Sequence, residues 1–169
     1  MIICRRERLV EAMSASHEVQ LSPIQLKQLI FTKVRVELSD GLEKTSELWA
    51  PNFNMDGVQI FNEITIAKPE DQVSDPRNFM ITMRLAILNE AENCKKAPYT
   101  IDLVAQAWLE TVLQNDPVQR EDIVRVNGAS LIMGAMRELV IQLTARSGFG
   151  PLMLPTMRFM PLAGSLDSK

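Results

Sequence analysis

The sequence predicts an α+β protein, a four-stranded antiparallel sheet with one main C-terminal helix packed on one of its faces. Two observations support this prediction. Apolar and polar residues alternate along four separate segments, which is the period of a half-buried strand. Near the C-terminus the apolar residues recur every three or four positions instead, which is typical of an amphipathic helix. One helix stripe on one sheet face makes a two-layer core, and 169 residues are enough for it.

The first strand is predicted from Ile24 to Leu38. Its core face is assigned to the apolar members of the alternating series: Ile24, Leu26, Ile30, Val34, Val36 and Leu38. The opposite face is polar except for Leu29 and Phe31, which place two apolar groups among charged ones. Leu29 and Phe31 are therefore predicted to point outward.

The other three strands are predicted over Val58–Ile66, about Phe79–Leu88 and about Tyr99–Leu109. Phe61 and Trp108 interrupt the polar outward faces of the second and fourth strands. Proline and charged residues fill the last two connections, which suit hairpins and therefore an antiparallel sheet.

The connection from the first to the second strand, Ser39 to Gly57, is long and contains Trp49 and Phe53. A loop of this length in a small domain usually has a function or is disordered, and its aromatic content argues against disorder. Two interpretations remain open for it. It packs on the edge of the sheet, or it walls a binding groove.

The helical region follows Asp116-Pro117, which ends the last strand. A short helix is predicted over Gln119–Val126 and the main helix from roughly Ser130 to Ser147. The apolar stripe of the main helix comprises Ile132, Met133, Met136, Leu139, Val140 and Leu143. Further apolar residues lie off this stripe and predict a contact with another subunit: Leu131, Ile141 and Ala145.

The segment from Pro151 to Pro161 is rich in Leu and Met and is braced by prolines. Proline disfavours a continued helix, so an extended strip near the sheet edge is expected. Such a strip either contributes to a groove for varied apolar ligands, since Met repacks readily, or only covers the core.

Composition argues against several classes of function. The net charge is −3 and no basic stripe is present, which disfavours nucleic-acid binding. His17 is the single histidine, and phosphate-binding and nucleophile motifs are missing, so no enzyme activity, metal or cofactor is predicted. Two distant cysteines, no apolar run of membrane-spanning length and no signal-peptide core predict a cytoplasmic protein that does not insert into membranes.

The chain resembles the SecB protein-export chaperones. The resemblance is most specific from Ala-Met-Arg-Glu, residues 135–138, through the apolar tail, and it extends back to the first strand. The matching positions in the tail are Arg146, Phe149, Leu152, Leu154 and Phe159, and those in the first strand are Gln25, Leu26, Thr32, Lys33 and Glu37. It divides the chain into an N-terminal extension (1–23), a SecB-like domain (24–160) and a short tail (161–169).

The resemblance implies a homotetramer built as a dimer of dimers that oligomerises through the helix. It also implies an ATP-independent chaperone that holds unfolded preproteins in apolar grooves and passes them to the export ATPase. Glu37 and Asp102 match acids with which the family contacts that ATPase. The predicted client contacts are the outward, loop and helix residues Trp49, Phe53, Leu29, Phe31, Phe61, Met133, Met136 and Val140.

SecB-like relatives also serve toxin–antitoxin systems, where they hold an unstable antitoxin. The family's C-terminal helix and acidic tail have no counterpart here, and a third acid is replaced near Val34. An antitoxin chaperone is therefore the main alternative. A structural assembly subunit and an enzyme with a carboxylate site in the groove are the alternatives from other classes.

Overall fold

The computed structural model describes residues 20–43, 46–72 and 74–161, and these residues confirm the predicted α+β fold. The sheet is antiparallel throughout, with the strand order β1-β4-β3-β2. Its elements are β1 (Ile24–Leu38), β2 (Phe61–Ala67), β3 (Asn78–Ile87), β4 (Tyr99–Thr111) and α1 (Pro117–Thr144). Three short 3-10 turns lie in the connections, over Ser46–Leu48, Ala50–Asn52 and Glu70–Gln72.

The strand bounds agree closely with those predicted, with one clear difference at β2. Its pairing begins at Phe61 rather than at Val58. Val58 and Ile60 precede the strand and pack, partly buried, against the core. Their alternation reflects burial of the approaching loop rather than pairing with β3.

Two irregularities in β1 change which of its side chains face the core. The pairing with β4 shifts between Leu26 and Gln28 and again between Phe31 and Lys33. Each bulge adds one residue and so inverts the inward and outward positions that follow it. Between the bulges, Leu29 and Phe31 therefore point to the helix side, whereas Ile30 lies opposite Gln106 on the outer face.

This corrects the prediction that Leu29 and Phe31 point outward and that Ile30 points inward. Leu29 pairs with Ala107 and Phe31 with Ala105, and both alanines are fully buried. Because each of these two large side chains of β1 lies beside an alanine of β4, the helix-facing side of the sheet packs without gaps or clashes. A strict period of two could not anticipate two bulges that cancel each other by the end of the strand.

The core lies between the sheet and α1, which packs over β4, β1 and β3. The inward residues predicted for the two central strands are buried, which confirms them: Phe79, Ile81, Met83, Leu85, Ile87, Tyr99, Ile101, Leu103, Ala105, Ala107 and Leu109. From the helix, Ile132, Met136 and Val140 are fully buried and Met133 nearly so.

The helix is continuous from Pro117 to Thr144, so the two separate helices of the sequence prediction are wrong. Asp116 is its N-cap and accepts hydrogen bonds from Val118 N (3.0 Å) and Gln119 N (3.2 Å), with proline at the first helical position. Gly128, in the middle of this helix, allows close approach of the helix to the sheet. A Cβ at this position would lie only 2.5 Å from Leu109 Cδ1.

After the helix, the tail runs back along it in an extended conformation. Leu152 N donates to Thr144 Oγ1 (2.9 Å), Arg137 Nε donates to Leu154 O (3.0 Å) and Arg125 Nη2 donates to Met160 O (2.9 Å). Successive tail residues thus meet successively earlier helix residues. The strip follows the helix, not the sheet edge that was expected.

The tail covers core. Leu152 and Leu154 are fully buried, whereas Met153 between them is 62% exposed. Of the two interpretations offered for this strip, the structure supports core covering for its first half. No helix among the described residues is long and apolar enough to cross a membrane.

Candidate polypeptide-binding surface

The aromatic residues singled out in the sequence gather at one end of the sheet, where β1 and β3 end and β2 and β4 begin. We call this the loop end, formed by residues 39–43, 46–60, 88–98 and 147–150. Its base is a hydrogen-bond network around Ser39 and Asn89. Ser39 Oγ donates to Ala97 O (2.8 Å), and Asn89 Nδ2 donates to Ser39 Oγ (2.6 Å). Ser39 and Ala97 are buried, so the network fixes the loops on which the aromatic residues stand.

Trp49 projects from the long loop and remains 46% exposed. Its indole rests on Gly150, where a Cβ would lie 2.8 Å from Trp49 Cη2. Gly150 also has φ +80°, which favours glycine. On either side, Ala50 N donates to Phe149 O (2.9 Å) and Tyr99 Oη donates to Gly150 O (2.6 Å). The long loop is thereby tied to the turn after the helix, with one indole face left open.

Phe53 is less accessible than Trp49. It is partly buried, and Lys95 Nζ lies 4.4 Å from the centre of its ring. Lys95 Nζ also donates to Asn54 O (2.7 Å), and the backbone N of Lys95 donates to Gly57 O (2.9 Å), so Lys95 ties the loop to the β3–β4 connection. Phe53 therefore supports the loop more than it presents a free surface.

Phe61 is the second half-exposed aromatic group, at 47%. It lies on the outer face of edge strand β2, opposite Ala86. A shallow hollow of about 250 Å³ opens beside it, lined by Phe61, Asn62, Glu63, Arg84, Ala86 and Leu88. Trp49 and Phe61 thus offer two separate apolar contacts at the loop end.

Comparisons with known proteins agree with this architecture. No protein-family model and no curated protein sequence matches the chain. Among solved structures, the chain is similar to a Mycobacterium tuberculosis SecB-like chaperone in complex with a ChAD peptide from the HigA1 antitoxin. The TM-score is 0.52 and the identity 16%, covering 80% of this chain and 88% of the other. The fold is SecB-like.

A second match is a Streptococcus agalactiae protein of unknown function. Its TM-score is 0.50 at 14% identity, covering 80% of this chain and 97% of the other. At such identities the likeness is one of fold. The roles of individual residues therefore depend on this chain's own geometry.

Several predicted client contacts lie inside the SecB-like fold rather than on its surface. Met133, Met136 and Val140 are buried under the helix, and Leu29 and Phe31 are partly buried on the same side. Their part in client binding stays a prediction. In this conformation their side chains contribute to the core.

The SecB-like sheet instead exposes apolar residues of β1 that the alternating pattern had assigned to the core. Leu26, Val34 and Leu38 are 42%, 49% and 49% exposed. They lie on the helix side, but β1 is an edge strand, and α1 does not cover these positions. Alternation identifies the face of a strand but not whether a neighbour covers that face, so their exposure could not be predicted from the pattern.

Asp102, one of the two predicted export-ATPase contacts, is 3% exposed on the outer sheet face. Its carboxylate accepts hydrogen bonds from Arg84 Nε and Nη2, each at 3.0 Å, and from Lys33 Nζ. The hydrogen bonds from Arg84 lower the pKa of Asp102, and Lys33 adds to the effect. Both carboxylate oxygens are thus engaged within the chain.

Glu37, the other predicted contact, is exposed and pairs with Arg35, whose Nη2 lies 2.8 Å from Glu37 Oε2. On this part of the outer face the basic residues Lys33, Arg35 and Arg84 thus stand beside the acids Glu37 and Asp102. Both predicted contacts are therefore paired with basic side chains of the same face. Their binding to an ATPase stays a prediction.

The predicted oligomer contacts Leu131, Ile141 and Ala145 are, respectively, 44% exposed, partly buried and exposed in the single chain. Within the described residues, no group of three or more His, Cys, Asp or Glu side chains is placed to hold a metal ion. His17 lies outside the described residues.

Proposed function

We propose that the protein is an ATP-independent chaperone that binds non-native polypeptide at the loop end. The observation that supports this most is the SecB-like fold, shared with a chaperone whose structure contains an antitoxin peptide. Half-exposed Trp49, on a hydrogen-bonded loop, and half-exposed Phe61, on edge strand β2, supply contacts of the kind that such a ligand needs.

The energetics suit a client that is unfolded. Fully burying one large apolar side chain contributes about 1.5–3 kcal/mol, so a single contact binds weakly. An extended chain that reaches several such side chains at once binds much more tightly than any one contact allows. Contacts that need only an apolar partner also tolerate many client sequences.

Of the two chaperone roles, we favour binding of an antitoxin over delivery of preproteins to an export ATPase. The similar solved chaperone carries an antitoxin peptide. In this chain, Asp102 is paired with Arg84 and Lys33, and Glu37 is paired with Arg35. A partner that docks on acids would find few of them free here. We further propose that the chaperone is cytoplasmic and works as a tetramer, a dimer of dimers that meet through α1.

Trp49→Ala tests the binding surface. We expect the affinity for a reduced, unfolded client to fall roughly tenfold, because an apolar contact of about 1.5 kcal/mol is lost. Affinity is measured by fluorescence anisotropy of a labelled client, well below the unfolding temperature, with and without ATP.

Leu139→Ala is the matched control, since Leu139 packs against the core. It should lower stability and leave client affinity nearly unchanged. Equal client affinities of the parent and the Trp49 variant would show that Trp49 is not part of the binding surface. A parent that binds no unfolded chain at all would overturn the chaperone proposal.

The choice between the two roles is tested by coexpression. When a toxin–antitoxin pair encoded beside the gene is expressed, the toxin should be inhibited only if this protein is coexpressed. The purified protein should also bind the antitoxin. Rescue of preprotein export in a strain that lacks its export chaperone, without any antitoxin binding, would favour the export role instead.

A further inference from the structure

A second concave site lies on the outer face of the sheet, at the end opposite to the loop end. It is a cleft of about 380 Å³, a size typical of ligand pockets. Trp108, Met80 and Ala67 form one row across β4, β3 and β2 at its floor. Trp108 and Met80 are partly exposed and Ala67 is exposed, so the floor is an apolar surface open to a ligand.

Strand β2 connects this cleft with the hollow beside Phe61. The row that contains Phe61 and Ala86 lies at the loop end, and the row that contains Ala67 and Met80 lies in the cleft. Residues 61 and 67 are six positions apart, which corresponds to about 20 Å along a strand. Because six is an even number, the side chains at both positions point to the same face. Two apolar contacts are thus aligned along one edge of the sheet.

The surface between the two hollows is polar. The outward side chains of β2 in this interval are Glu63 and Thr65, both exposed. They lie opposite Arg84 and Thr82 on β3. A segment that follows β2 therefore meets apolar, polar, polar and apolar surface at four successive outward positions.

The free edge of β2 suits an extended polypeptide. Among the described residues, β2 pairs only with β3, so its other edge carries no neighbouring strand. Backbone N–H and C=O groups along such an edge are unpaired, and an added strand can form hydrogen bonds with them. The backbone of the edge then supplies affinity that does not depend on the sequence of the ligand, and the hollows supply the selectivity.

The charges at the rim of the cleft are balanced. Lys27 pairs with Glu110, and Lys68 pairs with Glu121 at 2.9 Å. Both rim amines are thus engaged within the chain, which leaves apolar contact with the floor as the main attraction. This favours an uncharged apolar side chain as the occupant over a carboxylate or a phosphate.

We propose that an unfolded client extends from the loop end along the free edge of β2 into this cleft. One apolar side chain of the client lies beside Phe61, and a second, six residues further along, lies over Trp108 and Met80. The two outward side chains between them are polar. The inference rests on the proposed chaperone function and specifies the client segment: two large apolar residues at positions i and i+6 of an extended chain.

Two labelled peptides of identical composition test this spacing on the parent protein. Each is a Ser/Thr host without tryptophan that carries two leucines, six positions apart in one peptide and five in the other. At a spacing of five, the second leucine of an extended chain points to the opposite face and cannot reach the cleft. We expect the peptide with the spacing of six to bind roughly tenfold more tightly, as measured by fluorescence anisotropy.

Reduced and alkylated ribonuclease A, an unfolded chain, is measured in parallel. If the protein binds this chain but binds the two peptides equally, or binds neither of them, the client does not follow β2 into the cleft. The proposed function then stands without this inference. If ribonuclease A is not bound either, the proposed function and the inference both fail.

Tryptophan fluorescence tests the location. Trp108 is the only tryptophan in the Trp49→Phe variant, and Trp49 is the only one in the Trp108→Phe variant. The peptide with the spacing of six should shift the Trp108 emission to the blue and reduce its quenching by acrylamide, because the second leucine covers the indole. It should leave the Trp49 emission unchanged. A shift of Trp49 alone, or no shift of either tryptophan at a saturating peptide concentration, would overturn the proposal.

Discussion

Replacing Gly128 by alanine tests how closely the helix approaches the sheet. Its added Cβ would lie 2.5 Å from Leu109 Cδ1 and nearer still to Ile81 Cδ1, both in fully or almost fully buried side chains. Overpacking of this kind costs about 1–3 kcal/mol. Alanine regains about 1 kcal/mol of helix propensity. Because only side-chain tips must move, we expect a net loss of about 1 kcal/mol.

Gly134→Ala is the matched control, on the same helix with no atom within 4 Å of the added Cβ. It should gain the propensity term alone and stabilise the protein by about 1 kcal/mol. Urea unfolding followed by circular dichroism gives both values. If the two variants are stabilised equally, the helix does not approach β3 and β4 as closely as described, and Gly128 has no packing role.

Three further predictions concern single contacts. Asp102→Asn should cost about 2 kcal/mol at neutral pH, the usual range for hydrogen bonds to a charged group. The lowered pKa of Asp102 makes this contribution complete above the unfolded pKa of about 3.9 and lost as pH falls through the folded value. Unfolding at pH 7 and pH 3 should therefore show a smaller difference in acid. Ile141→Arg should dissociate the proposed oligomer, because an unpaired buried charge costs about 3–5 kcal/mol. Light scattering measures the mass of both proteins. A parent protein that is monomeric at micromolar concentration would disprove the interface. Gly150→Ala should shift Trp49 emission in a Trp108→Phe background, since φ +80° and the indole contact both oppose a Cβ; unchanged emission would contradict the packing of Trp49 on this turn.

The fold was largely predictable because it depends on repeated patterns. Inward residues of β3 and β4 alternate without interruption, and burial in β3 follows that alternation from Phe79 to Leu85. β1 was predicted with the correct bounds but with Leu29, Ile30 and Phe31 on the wrong faces. A bulge is specified by local pairing with β4, and one sequence read alone contains no trace of that pairing.

The candidate site was less predictable, because it depends on tertiary contacts. Trp49 and Phe61 were identified from the sequence because Trp49 is an aromatic residue in a long loop and Phe61 interrupts the polar face of a strand. Their exposure, and the cover that Lys95 gives to Phe53, follow from loop packing. Asp102 was predicted as an outward acid that is free to bind a partner. Its hydrogen bonds to Arg84 and Lys33 depend on strand pairing and became visible only in the structure.

The loop end combines open aromatic groups with a fixed backbone, and under the proposed function that combination would affect how a client binds. Trp49 is held between tied neighbours, since Ala50 bonds to Phe149 and the indole rests on Gly150. Binding there need not order the loop first, so little of the contact energy is lost to conformational entropy. The flexible partner is then the client, which already samples extended conformations when unfolded. Under the proposed function, selectivity would accordingly come from the spacing of apolar side chains along the client, matched to Trp49 and Phe61, rather than from rearrangement of this protein.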